Sequence, residues 1–371
     1  MTETSPTLAE IRKKVAEGWR LSADDGEFLY RDDVDLHAVG ELADAVRRRK
    51  HGDVVYYNVN AHLNATNICV YRCTLCAYSC DEDNPRGYVL DDDAILARGQ
   101  EAVDRGCTEL HIVGGAHPTM PYDWYLGIIR QLHDAFPRLH LKAWTAVEID
   151  WFSHIGRRPV RQVLEEMQQA GLGSLPGGGA EIFDSRVRTQ ICARKAEAET
   201  WLSIHHCAHE LGLRSNATML FGHVENVEHR IDHLVRLRQL QDATGGFQAF
   251  IPLAFHPENT ALGHLSRPTA MLDLRTVAIS RLMLDNIDHI KAYWVSLGLG
   301  TAQTALAYGA DDLDGTVVQE KIHHEAGADS PEGLTVEQLQ ALIREAGREP
   351  VERDTLYRRV RRQKARWWVE R

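Results

Sequence analysis

The sequence has no apolar run near the ~20 residues that a membrane-spanning helix requires. Its opening residues, MTETSP, lack the basic-then-apolar pattern of a secretory leader, so a cytoplasmic enzyme is expected. Its cysteines number seven, an odd count, and three of them fall within residues 69–76. That distribution argues against a disulfide framework and for a reducing compartment. There is no internal repeat, no low-complexity tract and no Pro/Gly/Ser-rich linker, which excludes an array and favours one structural unit. No Lys-Ser/Thr follows the triple glycine at 177–179, so it is not a phosphate-binding P-loop. Excess positive charge is also lacking: the net charge is −11, which does not favour a nucleic-acid partner. The exception is the tail, residues 353–371, where eight bases face two acids for a net of +6. We read it as a solvated helix end that Trp367 and Trp368 dock onto the body of the protein or onto a second copy, in a homodimer.

What is present is a cysteine cluster, Cys69-x3-Cys73-x2-Cys76. Three thiolates can hold three corners of a cubane 4Fe–4S cluster and leave the fourth iron open for chemistry. A zinc site completed by Cys80 or a histidine would use the same residue types. Structural zinc knuckles usually pair two C-x2-C elements, and no second pair exists here. The ferredoxin run needs a two-residue first gap and a proline after its last cysteine, and neither occurs.

Short apolar runs alternate with longer helical patterns, which predicts βα units around a parallel sheet. Strands are expected at 54–58, 64–68, 109–113, 139–147, 173–175, 215–221, 247–254 and 289–295. Helices are expected at 91–105, 124–136, 160–170, 198–211 and 227–244. The fold class is therefore α/β, a TIM-type (β/α) barrel, complete or partial. An N-terminal helical layer (1–50) precedes the barrel core (51–320), and a C-terminal helical extension (321–371) follows. In such a barrel the active-site groups come from the C-terminal ends of the strands. Those ends carry Gly114-Gly115 with His117, then Glu148, the triple glycine with Glu181, Gly222-His223, and His256. His205, His206 and His209 on a helix lack carboxylates and read as solvated rather than metal-binding. Asp311, Asp312 and Asp314 read as a turn rather than a calcium loop.

The cysteine spacing is the signature of the radical S-adenosylmethionine (SAM) enzymes, which the chain resembles. The resemblance implies a 4Fe–4S cluster on Cys69, Cys73 and Cys76, with SAM chelated at the open iron as a co-substrate. Cys80 is then a bystander, since a fourth thiolate would occupy the position SAM needs. Leu75 stands where an aromatic residue is usual. Gly114 and Gly115 would meet the amino group of SAM. Residues 218–225 resemble a G-x-I-x-G-x-x-E stretch, with Thr218 replacing its first glycine, so Gly222 would shape the strand beneath the adenine. Glu181 would bind the ribose hydroxyls, and Arg188 would pair with Glu181 or with the methionine carboxylate.

The strings HIVGGAHP (111–118), KAWTAVEIDW (142–151), SLPGGGAEIF (174–183), GGFQAFIPLAFHPEN (245–259) and KAYWV (291–295) resemble, more narrowly, the aminofutalosine synthases of the futalosine route to menaquinone. That resemblance implies a transferase in which the 5′-deoxyadenosyl radical adds to the enol ether of 3-(1-carboxyvinyloxy)benzoate. Rearrangement and decarboxylation then give 6-amino-6-deoxyfutalosine, methionine and bicarbonate. It also implies an electron donor such as ferredoxin or flavodoxin. Candidates for holding the two substrate carboxylates are His117, His256, Arg72 and Lys291. Two alternatives remain open. One is hydrogen abstraction, as in the cyclising relative or the deazaflavin-forming synthases, and the other is a metal-bearing binding module.

Overall fold

The structure, a computed structural model, describes residues 6–370. Residues 1–5 and Arg371, the last base of the tail, lie outside the described residues. Three helices come first, Leu8–Glu17, Ala23–Leu29 and Leu36–His51. Each starts at a side-chain cap, Thr7, Ser22 and Asp35 in turn, that accepts a backbone N–H otherwise left without a partner. The third packs on helix Ala270–Met283 on the outside of the barrel.

The first strand, β1 (Val54–Asn58), falls where the sequence predicts it but outside the main sheet. That sheet has seven parallel strands in chain order: β2 (Asn60–Leu63), β3 (Glu109–Ile112), β4 (His140–Ala143), β5 (Leu172–Leu175), β6 (Arg214–Phe221), β7 (Phe247–Ala254) and β8 (His289–Ile290). It curls into a half-barrel with helices over its outer face. In β3 the fully buried Leu110 and Ile112 alternate with Glu109 and His111.

One segment reaches both free edges of this sheet. β9 (Asp312–Gly315) pairs with β1, and the Ala292 N–H beyond β8 donates to Asp312 O at 2.8 Å. Six residues on, the His62 N–H of β2 donates to Val318 O at 2.9 Å. Residues 311–318 therefore bridge the opening between β8 and β2. β10 (Glu349–Glu352) pairs with the other side of β1.

Several boundaries differ from the sequence reading. The expected strand 64–68 is a loop, because Thr66 and Asn67 bond through their side chains to the carbonyls of Tyr88 and Arg86. The strand expected at 139–147 ends at Ala143, and Thr145 caps helix Ala146–Gly156. After β8 the chain turns into helix Trp294–Leu297, so 289–295 is mostly not strand. The C-terminal extension is helical only to Glu345. Beyond β10 it forms an antiparallel hairpin, β11 (Val360–Gln363) with β12 (Arg366–Val369), so the basic tail is not a helix end. Arg358, Arg361 and Arg362 pair with Asp354, Glu370 and Glu352. Trp367 lies against the Arg138 guanidinium, 4.9 Å from its ring centre.

Candidate active site

A cavity of about 290 Å³ opens at the C-terminal ends of the strands and runs down into the half-barrel. The sulfur-bearing loop sits at its mouth. This loop closes on itself: the Cys69 N–H donates to Cys80 O at 3.1 Å and the Cys80 N–H to Asn67 O at 3.0 Å. Cys69, Cys73 and Cys76 line the cavity, whereas Cys80 is fully buried outside it. Burial raises the Cys69 thiol, with the N–H groups of Tyr71 and Ala116 opposing it, and pushes Cys73 up to about 12. Three thiols facing one space are the donor set of a thiolate-held metal cluster, which would take them as thiolates. A zinc site completed by Cys80 does not fit this geometry. Leu75 also lines the cavity.

Arg72 does not line it. Its guanidinium donates to Ser79 O and pairs with Asp81 at 3.2 Å, so it staples the cysteine loop.

The glycine pair after β3 is fixed by this loop. A Cβ on Gly115 would lie 2.1 Å from Ile68 O, and one on Gly114 would lie 3.0 Å from Thr66 O. Both glycines line the cavity. The Gly114 N–H donates to Glu148 Oε1 at 2.8 Å, and the Thr145 N–H donates to Oε2 at 2.7 Å. Burial raises Glu148 to about 7, against those two donors. The sequence pattern places Glu148 at a strand end. It is instead the third residue of a helix, and it faces the cavity.

Across the cavity, Gly177–Gly179 lie beside β6. A Cβ on Gly177 would stand 2.7 Å from the Ala217 backbone, and Thr218 Oγ1 donates to Gly177 O at 2.6 Å. Glu181 lines the cavity and pairs with Lys195 at 2.5 Å. Burial opposes its charge, but Lys195 outweighs this and keeps the carboxyl below the usual range. Lys195 was missed by sequence reasoning and no motif marks it.

Arg188 does not meet Glu181 or the cavity. It donates to Ala180 O at 2.6 Å, to Ile182 O at 3.2 Å and to Ala196 O, clamping the loop that carries Glu181. Gly222 (φ +87°) is also outside the cavity, in a turn where its N–H donates to Glu225 Oε1 at 2.6 Å.

The deep end is polar. His62, His111 and Lys142 stand side by side at one register of β2, β3 and β4. Lys142 pairs with Glu109 at 2.5 Å, Lys291 with Asp314 at 3.0 Å and Arg353 with Asp312 at 2.6 Å. Lys291 is thus buried below the cavity, not in its wall. His117 is outside the wall too: its N–H donates to Tyr125 Oη at 2.8 Å and its Nδ1 accepts from the Thr119 N–H. His256 does line the cavity, with Nε2–H donating to Ser296 O at 2.8 Å. The helical histidines form no metal face, since His205 and His209 both bond Ser215 Oγ while His206 is exposed. Among the described residues no helix is long and apolar enough to cross a membrane.

Comparison with known proteins identifies the chain's family. Residues 63–237 match the radical SAM superfamily, and residues 244–365 match the CofH/MqnC C-terminal region. The chain is 48% identical over 360 residues to an aminodeoxyfutalosine synthase of Thermus thermophilus, covering 96% of each chain. It is 44% identical to an aminodeoxyfutalosine synthase of Streptomyces coelicolor, covering 95% of this chain and 94% of that one. A crystal structure of methylornithine synthase superposes with a TM-score of 0.73 at 17% identity, over 92% of this chain and 97% of that one, which is a likeness of fold.

Proposed function

The chain belongs to the radical SAM superfamily and, within it, to the aminodeoxyfutalosine synthases, and from that premise we propose that it joins the 5′-deoxyadenosyl group of SAM to 3-(1-carboxyvinyloxy)benzoate. The products are 6-amino-6-deoxyfutalosine, methionine and bicarbonate. The observation that carries this reading is one cavity with three thiols at its mouth and basic side chains at its floor.

Cys69, Cys73 and Cys76 would hold a 4Fe–4S cluster, reduced by a donor such as ferredoxin or flavodoxin. When bound, that cluster supplies the electron that cleaves SAM to methionine and a 5′-deoxyadenosyl radical. The protein's part is binding, orientation and exclusion of water. Glu148, anchored by the Gly114 and Thr145 N–H groups, offers a buried carboxylate to the amino group of SAM. Glu181, kept ionised by Lys195, accepts from the ribose hydroxyls. Arg188 and Gly222 act indirectly, by fixing the loop and turn beside them. Ile251, Leu253 and Leu220 make one wall apolar, and a dry wall denies a primary carbon radical water and other partners.

The test is an anaerobic reaction of cluster-loaded, reduced protein with SAM and 3-(1-carboxyvinyloxy)benzoate, read by mass spectrometry. A product joining the adenosyl and benzoate parts, lost on Cys69→Ala, Cys73→Ala or Cys76→Ala, is expected. Free 5′-deoxyadenosine without the adduct would instead indicate hydrogen abstraction. Absence of SAM cleavage by an intact reduced cluster would overturn the reading altogether.

A further inference from the structure

The floor of the cavity holds more cationic side chains than it has free positive charge. Lys142, Lys291 and Arg353 each have a carboxylate partner within 3.0 Å. His324 is raised to about 9, chiefly by its bond to Glu320, and so balances that carboxylate. Every fixed charge around the floor is therefore already matched.

Two basic groups are uncommitted. Among the described residues Nε2 of His62 has no hydrogen-bond partner, and burial and neighbouring charges, with no hydrogen bond, act on His111. The two rings lie 4.6 Å apart. The Tyr293 hydroxyl and the Asn216 amide face the same cavity, also without a partner among the described residues. Unsatisfied polar groups gathered at one end of a cavity are those a ligand is expected to complete.

Position indicates which part of the ligand this is. Gly114, at the sulfur end, is three residues along the chain from His111, a rise of about 10 Å. That spacing leaves room for one substituted benzene ring between the SAM end and the floor. The reacting enol ether has to lie at the SAM end, so the opposite end of the molecule reaches the histidines.

We propose that His62 and His111, with Tyr293 and Asn216, form a subsite for the ring carboxylate of the substrate. This deepens the substrate reading above and rests on it. The carboxylate enters a floor with no net charge to spare, so it binds together with one proton taken from solvent onto the histidine pair. Two protonated rings at this separation would repel, which limits the uptake to one. The free histidines are neutral: burial lowers both, helped at His111 by His62 and Lys142, while Glu109, Asp314 and Glu320 act in the opposite direction. The bound carboxylate adds a new anion beside the rings and raises the pair.

Binding is measured by calorimetry on cluster-loaded, unreduced protein with SAM present, so that no turnover occurs. Two buffers of different ionisation enthalpy report proton uptake. The ligands are 3-(1-carboxyvinyloxy)benzoate and 2-phenoxyacrylate, the same molecule without its ring carboxylate. For the wild type, uptake of about one proton is expected with the diacid and none with the analogue. The diacid Kd should rise by up to tenfold per pH unit above neutrality. His111→Asn should weaken the diacid tenfold or more and remove the uptake, while changing the analogue less than twofold. His62→Asn is the second variant and should act the same way. Equal losses on both ligands, or undiminished diacid binding in both variants, would overturn the subsite. Failure of the wild type to bind the diacid would overturn the substrate reading and, with it, this one.

Discussion

Replacing Gly115 by alanine isolates the contact that sets the cysteine loop against β3. Gly115 is not among the positive-φ glycines, so the substitution tests packing rather than backbone conformation. The added Cβ would stand 2.1 Å from Ile68 O and 2.7 Å from Ile68 C. Both are backbone atoms, which cannot rotate away as a side chain would. Restoring an ordinary contact of about 3.4 Å requires the loop to retreat by roughly 1.3 Å. Ile68 directly precedes Cys69, so the displacement passes to the first ligand. Overpacking of this size costs about 1–3 kcal/mol, small enough for the protein to remain folded. Reactive groups, in contrast, must be held within about 0.5 Å, and a 1 Å misplacement costs about 10²-fold in rate. Gly115→Ala is therefore expected to show native circular dichroism but to form adduct about 100-fold more slowly, with less iron retained after anaerobic reconstitution. Gly114→Ala, at 3.0 Å from Thr66 O, should lose less than tenfold. Wild-type iron content and rate in Gly115→Ala would refute the argument.

Three further outcomes follow from the site. Cys80→Ala should keep the full iron content and activity, since that sulfur lies outside the cavity; loss of iron would make Cys80 a ligand. Glu148→Gln should flatten part of the pH dependence of folding. The native carboxyl is raised from 4.5 to about 7, so it binds its proton more tightly than the unfolded chain does. Its contribution is present below pH 4.5 and is lost as pH rises through 7, about 3 kcal/mol in all. Protonated Glu148 and glutamine are both neutral, so in urea unfolding the wild type should lose up to about 3 kcal/mol relative to the variant as pH rises across that window, and parallel curves would refute the assignment. Arg188→Met leaves the carbonyls of Ala180, Ile182 and Ala196 without their donor. At about 1–3 kcal/mol for a buried group left unmade, stability should fall by roughly 3 kcal/mol with cluster binding intact. A SAM-affinity loss without destabilisation would instead put Arg188 on the ligand.

The parallel βα order and the cysteine cluster were legible because each leaves a local mark, alternating apolar runs in one case and fixed spacing in the other. The strand expected at 139–147 overran because Ala143 through Val147 stay largely apolar across the strand end. The correcting signal was present as Thr145-x-x-Glu148, a capping box that starts the next helix and turns Glu148 inward. The tail hairpin had no such signal. Its turn at Lys364 (φ +56°) carries neither Asn-Gly nor Asp-Gly, and its arginines are as common on a helix as on an edge strand.

Site residues failed in a more instructive way. His117, Arg72, Gly222 and Lys291 lie near strand ends or in adjoining loops, and Arg188 lies in the helix Ser185–Ile191, yet none lines the cavity. Nearness to a strand end gives height along the barrel but not the direction in which a side chain points. Direction along a strand has period two. In β3 that period separates Glu109 and His111 from Leu110 and Ile112, so the polar members of an otherwise apolar strand share one face. β2 and β4 repeat the pattern with His62 and Lys142, and the parallel register sets all three at one level. A polar residue recurring every second position in a strand covered on both sides has no solvent to face, so its face must be the barrel interior. Applied to residues 60–63, 109–112 and 140–143, that rule would have reached the cavity floor from sequence, where the search for cations at strand ends did not.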